Sequence, residues 1–150
     1  MKPDIHAYIR PGAHAHLVGI GGVSMSPLAE VLHGAGVTIT GSDMHDSETV
    51  EHLRSLGIPV VIGHRGESVQ GAVIRTAAVH DDNPEIAAAR AAGIPVFERA
   101  QAWGAIMRHY QNALCVAGTH GKTTTTSMCT QIFLAAQRDP TVMIGGTLPA

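Results

Sequence analysis

The sequence contains few charged and few aromatic residues, which make up 15% and 3% of its 150 positions. Acidic and basic residues are interspersed and give a formal net charge of −2. The chain therefore lacks the clustered basic face that nucleic-acid binding requires. Because 45% of the residues are apolar, we expect a packed core and exclude extended disorder. The length fits one domain, or one domain with part of another.

Cysteines are also scarce, with only Cys115 and Cys129 present. The segments around them have the patterns of a buried strand and a helix, so we expect free thiols in a reducing compartment. The first sixteen residues include Pro3, Asp4 and Arg10 and have no apolar region typical of a signal peptide. No apolar run is long enough to span a bilayer. The sequence thus predicts a soluble cytoplasmic protein without a membrane partner.

Histidine is the one abundant titratable residue, with ten copies scattered from His6 to His120. None is paired with a cysteine at the spacing that zinc ligands require. We interpret most of them as surface or loop residues.

Strand-like apolar runs alternate with helical patterns over residues 1–110. Met25, Leu28, Ala29 and Leu32 follow the i, i+3, i+4, i+7 spacing of one helix face. Asn83-Pro84 is a helix start, with asparagine as N-cap and proline in the first turn. This alternation predicts a Rossmann-like α/β domain with a parallel sheet. The predicted strands are 16–20, 37–40, 58–62, 72–77 and 94–97, and the later predicted helices are 47–56, 83–92 and 99–110.

The pattern restarts after residue 110, with a predicted strand at 113–117, a helix at 123–136 and a strand at 141–144. A unit of about 40 residues is too small to bury a core of its own. We therefore expect residues 1–110 to form one domain and residues 111–150 to be the start of a second, larger domain that continues beyond residue 150.

A glycine-rich turn follows the first predicted strand and opens the first helix. Glycines there let a diphosphate approach the backbone, and the helix N-terminus offers N–H donors and a positive dipole end. Asp43 lies nineteen residues after Ser24, where an acid often binds a ribose hydroxyl. Ser24 replaces the third glycine of the usual fingerprint, so NAD, FAD and UDP-sugars all remain open. The candidate residues of the turn are Gly19, Ile20, Gly21, Gly22, Val23 and Ser24.

A second phosphate-binding motif lies between the strand and the helix of the second unit. In Gly-Lys-Thr, Lys122 would reach the β- and γ-phosphates of ATP, and the hydroxyl of Thr123 would bind Mg²⁺. Val116 occupies the position of the first glycine of the usual loop, which is shortened here. The unit thus has the pattern strand–P-loop–helix–strand of a truncated ATPase domain. The candidate ATP-binding residues are Gly118, Thr119, His120, Gly121, Lys122, Thr123 and Thr124.

Two phosphate sites in tandem favour an enzyme that uses one nucleotide-linked substrate and one ATP. A dehydrogenase has no need of an ATP loop, and a simple ATPase has no need of the preceding domain. A nucleotide-binding or sensing module for a UDP-sugar or NAD is the alternative, although it would have no use for a lysine at the γ-phosphate.

At this point the sequence resembles the Mur ligases of peptidoglycan synthesis. The resemblance spans residues 14 to about 148 and rests on several motifs that match in order. These are Gly-Ile-Gly-Gly-Val-Ser-Met-Ser at 19–26, Gly-Ser-Asp at 41–43, His64, Asp-Asn-Pro-Glu-Ile at 82–86, Arg99-Ala100, the ATP loop at 117–126 and Gly145-Gly146. Within the family, the Gly-Ile-Gly-Gly form favours the ligase that joins L-alanine to UDP-N-acetylmuramate over the ligase that recycles the tripeptide.

The resemblance implies an enzyme of three domains: a UDP-binding domain, a central ATPase domain and a C-terminal domain. Its substrates would be UDP-N-acetylmuramate, L-alanine and ATP, with Mg²⁺ as cofactor and Lys122 as the catalytic residue. Asp43 and His64 would contact the uridine, and Thr76 would lie near the sugar. The 150-residue chain would bind the UDP-sugar without catalysis.

Three positions depart from the family pattern. Pro27 stands where glycine is common, and Thr76-Ala77-Ala78 stands where Ser-Ser-Ala is common. Arg75 is a charge within a predicted sheet strand, and we expect it at the strand's end, facing a ligand or solvent.

Overall fold

The computed structural model describes residues 3–145, and two units divide the chain at Tyr110 and Gln111. The first unit contains a sheet of five parallel strands in the order β3-β2-β1-β4-β5. The strands are β1 His14–Val18, β2 Thr38–Asp43, β3 Val60–Ile62, β4 Ala72–Arg75 and β5 Val96–Glu98. The helices are α1 Ser26–Gly34, α2 Glu48–Ser55, α3 Pro84–Ala91 and α4 Arg99–Met107, with short 3₁₀ turns at Ile5–Ala7 and Gly66–Ser68.

The two faces of the sheet bury different side chains, because alternate residues of a strand point to opposite faces. Leu17 and Ile39 lie on the face that packs against α1, α2 and α4 in the larger core. Val18 and Val73 lie on the other face, against Ile86 of α3 in a smaller core. The polar side chains of His16 and Ser42 also lie on this second face, where they form buried contacts with α3.

The first unit confirms the predicted Rossmann-like architecture, with strand and helix ends shifted by a few residues. The predicted face of α1 is buried, since Met25, Leu28, Ala29 and Leu32 are at most 1% exposed. Asn83 caps α3 as predicted, because its side chain accepts a hydrogen bond from the Glu85 N–H. Ser47 caps α2 in the same way.

The second unit contains one helix, α5, at Lys122–Ala135, in the part that the structure describes. The strands predicted at 113–117 and 141–144 are not formed, and that prediction was wrong for the described residues. The apolar composition of both segments was suitable, but a strand also needs a neighbouring strand to pair with its backbone N–H and C=O groups. Gly146, one of the motif residues, lies outside the described residues.

Apolar side chains of α5 remain at the surface: Met128, Ile132 and Leu134 are 51–66% exposed. The expectation that residues 111–150 are the start of a larger domain stays a prediction. Among residues 3–145, no helix is long and apolar enough to cross a membrane.

Candidate nucleotide-binding site

The glycine turn is held at the carboxyl end of β1 by the backbone of β2. The N–H groups of Gly19 and Ile20 both donate to the carbonyl oxygen of Ser42, at 2.8 and 3.0 Å. Gly19 has a φ of +75°, a conformation that favours glycine because it has no Cβ. The chain can therefore reverse sharply from β1 towards α1.

The outer half of the turn offers backbone donors. Within residues 3–145, the N–H groups of Val23 and Ser24 donate to no protein oxygen. Both precede α1, whose N-terminus carries the positive end of the helix dipole. Two unpaired N–H groups at a helix N-terminus form a favourable site for an anion such as a diphosphate.

Gly21 is glycine for a steric reason. A Cβ at this position would lie 2.9 Å from Cγ2 of Val50 and 3.0 Å from Oδ2 of Asp43. The turn thus packs directly against β2 and α2, with no room for a side chain.

The side chain of Asp43, at the end of β2, contacts the turn. Its Oδ2 accepts the N–H of Gly21 at 2.9 Å, and its Oδ1 accepts the N–H of His45 at 3.2 Å. Both carboxylate oxygens therefore order backbone around the turn. The ribose contact expected of Asp43 stays a prediction, to which the structure adds this anchoring contact.

Ile20 differs from the other predicted residues of the turn. Its side chain is fully buried in the larger core, and its N–H is used by Ser42. Ile20 thus anchors the turn by packing into the core, whereas the exposed Val23 lies on the outer side of the turn.

The turn lies where the order of the strands reverses. β1 continues to β2 and β3 on one side, and β4 and β5 lie on the other. In open parallel sheets, ligands bind in the crevice at such a switch point, outside the carboxyl ends of the strands. Thr76 directly follows β4 at this edge, and its hydroxyl accepts the N–H of Ala78 at 3.2 Å.

Arg99 stands in the sequence only as part of the Arg99-Ala100 motif, but in the structure its side chain contacts the glycine turn. It begins α4 directly after β5, and its Nη1 donates to the hydroxyl of Ser24 in the glycine turn. A guanidinium thus contacts the same turn that carries the two unpaired N–H groups. A basic residue immediately after a strand, at the edge that carries the glycine turn, was the signal available in the sequence.

A buried carboxylate lies beside the end of β2. Glu85 is 0% exposed, and its Oε2 accepts the hydroxyl of Ser42 at 2.6 Å and contacts Nδ1 of His64 at 2.8 Å. Its Oε1 lies 3.1 Å from Nε2 of His16, which is also fully buried. His16 and Glu85 were missed as interacting residues. Most of the histidines are exposed, as expected, and His16 is the buried exception. The signal available in the sequence was that His14 and His16 occupy alternate positions of β1, so that both side chains lie on the same face of a central strand.

Two opposing effects act on the pKa of Glu85. Burial, the largest single effect, raises the pKa. The hydrogen bonds from His16, Ser42 and His64 together lower it by more, so the pKa of Glu85 lies below the usual value for glutamate. The carboxylate is therefore ionised near neutral pH.

Arg75 lies at the end of β4, as expected, and pairs with acids rather than facing an open site. Its Nε donates to Glu98 at 3.0 Å and its Nη1 to Asp81 at 2.6 Å. The hydrogen bond from Arg75 lowers the pKa of Asp81, which also pairs with Arg90. These contacts join the ends of β4 and β5 to the loop before α3.

In the second unit, the lysine of the phosphate motif folds back over its own loop. Nζ of Lys122 donates to the carbonyl oxygens of Gly118 and Thr119, at 2.6 and 3.3 Å. Gly121 has a φ of +77° at the N-cap of α5, which turns the loop into the helix. Lys122 thus lies at the helix N-terminus with the loop carbonyls as its partners.

The other candidate residues of this loop, Thr119, His120, Thr123 and Thr124, are exposed. Among residues 3–145, no cluster of three or more histidine, cysteine or acidic side chains could hold a metal ion. The Mg²⁺ contact expected of Thr123 stays a prediction, since in P-loop enzymes the Ser or Thr after the lysine is one of the protein ligands and an aspartate from elsewhere is another.

Comparison with known proteins gives a consistent result. Residues 14–111 match the Mur ligase family, catalytic domain. The chain is 52% identical over 138 residues to the UDP-N-acetylmuramate–L-alanine ligase of Agathobacter rectalis and 52% identical over 135 residues to that of Legionella pneumophila. The matches include 90% and 89% of this chain. The chain spans only 30% and 29% of the length of those two relatives.

Solved structures show the same likeness. The UDP-N-acetylmuramate–alanine ligase of Thermotoga maritima has a TM-score of 0.81 and 37% identity, over 90% of this chain and 32% of that one. The Neisseria UDP-N-acetylmuramate:L-alanyl-γ-D-glutamyl-meso-diaminopimelate ligase has a TM-score of 0.79 and 30% identity, over 89% and 43%. Because the family match covers most of the first unit and more than half of the chain, the chain belongs to the Mur ligase family.

Proposed function

We propose that the first unit binds UDP-N-acetylmuramate with its diphosphate on the glycine turn. The observation that carries the proposal is the pair of unpaired N–H groups, Val23 and Ser24, in the turn that the guanidinium of Arg99 contacts. Backbone donors, a helix dipole and a fixed cation together favour a doubly charged diphosphate. His64, Asp43 and Thr76, at the carboxyl ends of neighbouring strands, are suited to the nucleoside and the sugar.

The second unit binds ATP in this proposal. Lys122 would exchange its contacts with the carbonyls of Gly118 and Thr119 for oxygens of the β- and γ-phosphates. Backbone N–H groups around Gly118–Gly121 would surround the phosphates, and Thr123 would hold Mg²⁺. The bound Mg²⁺ would supply charge neutralisation between the phosphates.

The whole protein would then join L-alanine to UDP-N-acetylmuramate at the expense of ATP. The lactyl carboxylate attacks the γ-phosphorus, which gives an acyl phosphate and ADP. The amine of L-alanine next attacks the acyl carbon, forms the amide, loses a proton and releases phosphate. Lys122 acts by stabilising the negative charge of the phosphoryl group during transfer.

Identity favours L-alanine over a tripeptide as the second substrate. Among solved structures, the chain shares 37% of aligned residues with the Thermotoga ligase named for alanine and 30% with the Neisseria ligase named for the tripeptide. A nucleotide-binding module without chemistry is the other candidate, but it gives no role to Lys122 in its loop.

Calorimetric titration of the 150-residue chain with UDP-N-acetylmuramate, UDP and NAD tests the first step. We expect saturable binding of the UDP ligands, no response to NAD, and loss of UDP binding in Gly21→Val. Gly34→Ala is the matched control, because a Cβ there meets no atom within 4 Å. Binding of NAD without a response to UDP would contradict the proposal.

A further inference from the structure

The buried carboxylate of Glu85 connects α3 to two strands and to the loop after β3. Its Oε1 contacts Nε2 of His16 in β1, and its Oε2 contacts the hydroxyl of Ser42 in β2 and Nδ1 of His64. The three partners are 69, 43 and 21 residues away in sequence. The first turn of α3 thus brings one acid to the polar groups of the second sheet face.

The protons of this cluster can be assigned from its chemistry. An ionised carboxylate accepts hydrogen bonds and donates none, so each contacting group must present a proton to it. His64 therefore carries a proton on Nδ1, and His16 carries one on Nε2. Nδ1 of His16 lies 2.9 Å from the hydroxyl of Thr40, which donates to it when His16 is neutral.

In this arrangement both histidines can be neutral. Among the contacts of the described residues, Glu85 accepts from Ser42, His16 and His64, and both ring nitrogens of His16 have a partner. This tautomer arrangement is favoured because an unprotonated Nδ1 of His64 or Nε2 of His16 would face an acceptor oxygen of Glu85 and leave both groups without a hydrogen bond.

His64 is the one of the three partners that solvent reaches appreciably. Its side chain is 15% exposed, compared with 1% for His16, and it lies at the carboxyl edge of the sheet after β3. With Nδ1 committed to Glu85 and Ser42, the remaining nitrogen of His64 is Nε2, which is unprotonated in the neutral ring.

We propose that Glu85 is a positioning residue for the nucleotide: it fixes the Nδ1–H tautomer of His64 and thereby presents Nε2 as a hydrogen-bond acceptor to a ring N–H of the base. Uracil has one such donor, at N3. The inference rests on the proposed binding of a UDP-sugar, which it deepens by assigning the base contact to His64 and its orientation to Glu85.

Glu85→Gln is the informative substitution. A glutamine side chain keeps the shape but offers one acceptor oxygen and one NH₂ donor to three groups that all donate. The amide oxygen can then accept from His16 or from His64 but not from both, and because it is uncharged it holds the Nδ1–H of His64 less firmly than the carboxylate does. The matched control is Glu48→Gln, which makes the same change at an exposed position of α2.

The experiment has two readouts. Nitrogen-15 NMR of the imidazole rings reports the tautomer of His64 in the ligand-free chain, and calorimetry reports the affinity for UDP. We expect the Nδ1–H tautomer in the wild-type chain and in Glu48→Gln, and an altered His64 spectrum in Glu85→Gln. We also expect Glu85→Gln to lose about tenfold in UDP affinity, the effect of one hydrogen bond.

A double-mutant cycle separates positioning from general support of the fold. His64→Ala should lower UDP affinity by a similar factor, and Glu85→Gln should add little in the His64→Ala background. Equal losses in both backgrounds, or an unchanged affinity in Glu85→Gln, would overturn the proposal.

The tautomer of His64 is measured in the ligand-free wild-type chain, so the result depends neither on ligand binding nor on whether the variants fold. An Nε2–H tautomer of His64 in the free wild-type chain would overturn the inference even if Glu85→Gln does not fold. If the wild-type chain fails to bind UDP, the proposed function fails, whereas the spectrum still decides whether Glu85 fixes His64.

Discussion

Asp43 accepts the backbone N–H of Gly21 at 2.9 Å and so ties the end of β2 to the glycine turn that follows β1. This contact spans 22 residues and lies beside the position where a Cβ on Gly21 would collide. The acid that sequence analysis assigned to the ribose thus also shapes the backbone of the candidate diphosphate site.

Asp43→Ala should therefore weaken UDP binding by at least about tenfold and destabilise the fold by about 1 kcal/mol, the usual worth of a hydrogen bond. Asp43→Asn keeps an acceptor oxygen and should lose less of both. Calorimetry and urea unfolding of the two variants provide the measurements. An alanine variant with normal UDP affinity would show that the turn does not need this contact.

Arg99 should act on the phosphates and not on the nucleoside. We expect Arg99→Ala to lower the affinity for UDP by about tenfold or more and to leave the affinity for uridine unchanged, because a guanidinium pairs with phosphate. Titrations with both ligands measure the ratio. Arg90→Ala, which removes an exposed arginine that pairs with Asp81, is the control. Equal losses for UDP and uridine would argue against a phosphate contact.

Lys122 should act on turnover rather than on capture of the UDP-sugar. In the full-length enzyme, Lys122→Ala should reduce phosphate release by about 10²–10³, the typical effect of removing one preorganised charge contact. Binding of UDP-N-acetylmuramate should be nearly unchanged, and Lys122→Arg should not restore turnover because the guanidinium has a different shape. Near-normal turnover in the alanine variant would assign Lys122 a structural role.

Gly41 should be far less tolerant of a side chain than Gly34. A Cβ on Gly41 would lie 2.6 Å from Cδ1 of Ile20 and 2.8 Å from the carbonyl oxygen of Leu17. Gly41→Ala should therefore destabilise the fold by about 1–3 kcal/mol through overpacking. Gly34→Ala in α1 should be neutral or stabilise by up to about 1 kcal/mol. Urea unfolding compares the two, and similar stabilities would contradict the packing described for β2.

The pH dependence of stability should include a contribution from His14. Burial, the largest cause, lowers the pKa of His14 below its usual 6.5, and repulsion from His16 whenever that ring is protonated lowers it as well. The unfolded chain then binds more protons than the folded chain between the two pKa values, so stability falls as pH decreases through 6.5. His14→Gln should lose less stability than the wild type between pH 7.5 and 5.5 in urea titrations. Parallel losses would exclude this contribution.

Local patterns predicted the helices and strands of the first unit well. The spacing of Met25, Leu28, Ala29 and Leu32 identifies a buried helix face because periodicity depends only on neighbours in sequence. The cap at Asn83 was predictable for the same reason. The absence of strands from the described part of the second unit was not predictable from local patterns, because strand formation depends on a partner strand as well as on composition.

Contacts between distant residues were beyond such patterns. Glu85 and His16 are 69 residues apart, and nothing in either local sequence indicates that they meet. The contact of Arg99 with Ser24 spans 75 residues. The motifs identified the glycine turn, but only the fold shows which side chains from other strands and helices complete it.

The hydrogen bonds from Gly19 and Ile20 to the carbonyl oxygen of Ser42 have an entropic consequence. They fix the inner half of the turn as part of the sheet, while Val23 and Ser24 keep their N–H groups unpaired at its outer side. The donors are thus preorganised by folding, before any ligand arrives. An anion that binds there need not order a loose loop, and more of the interaction energy is expressed as affinity.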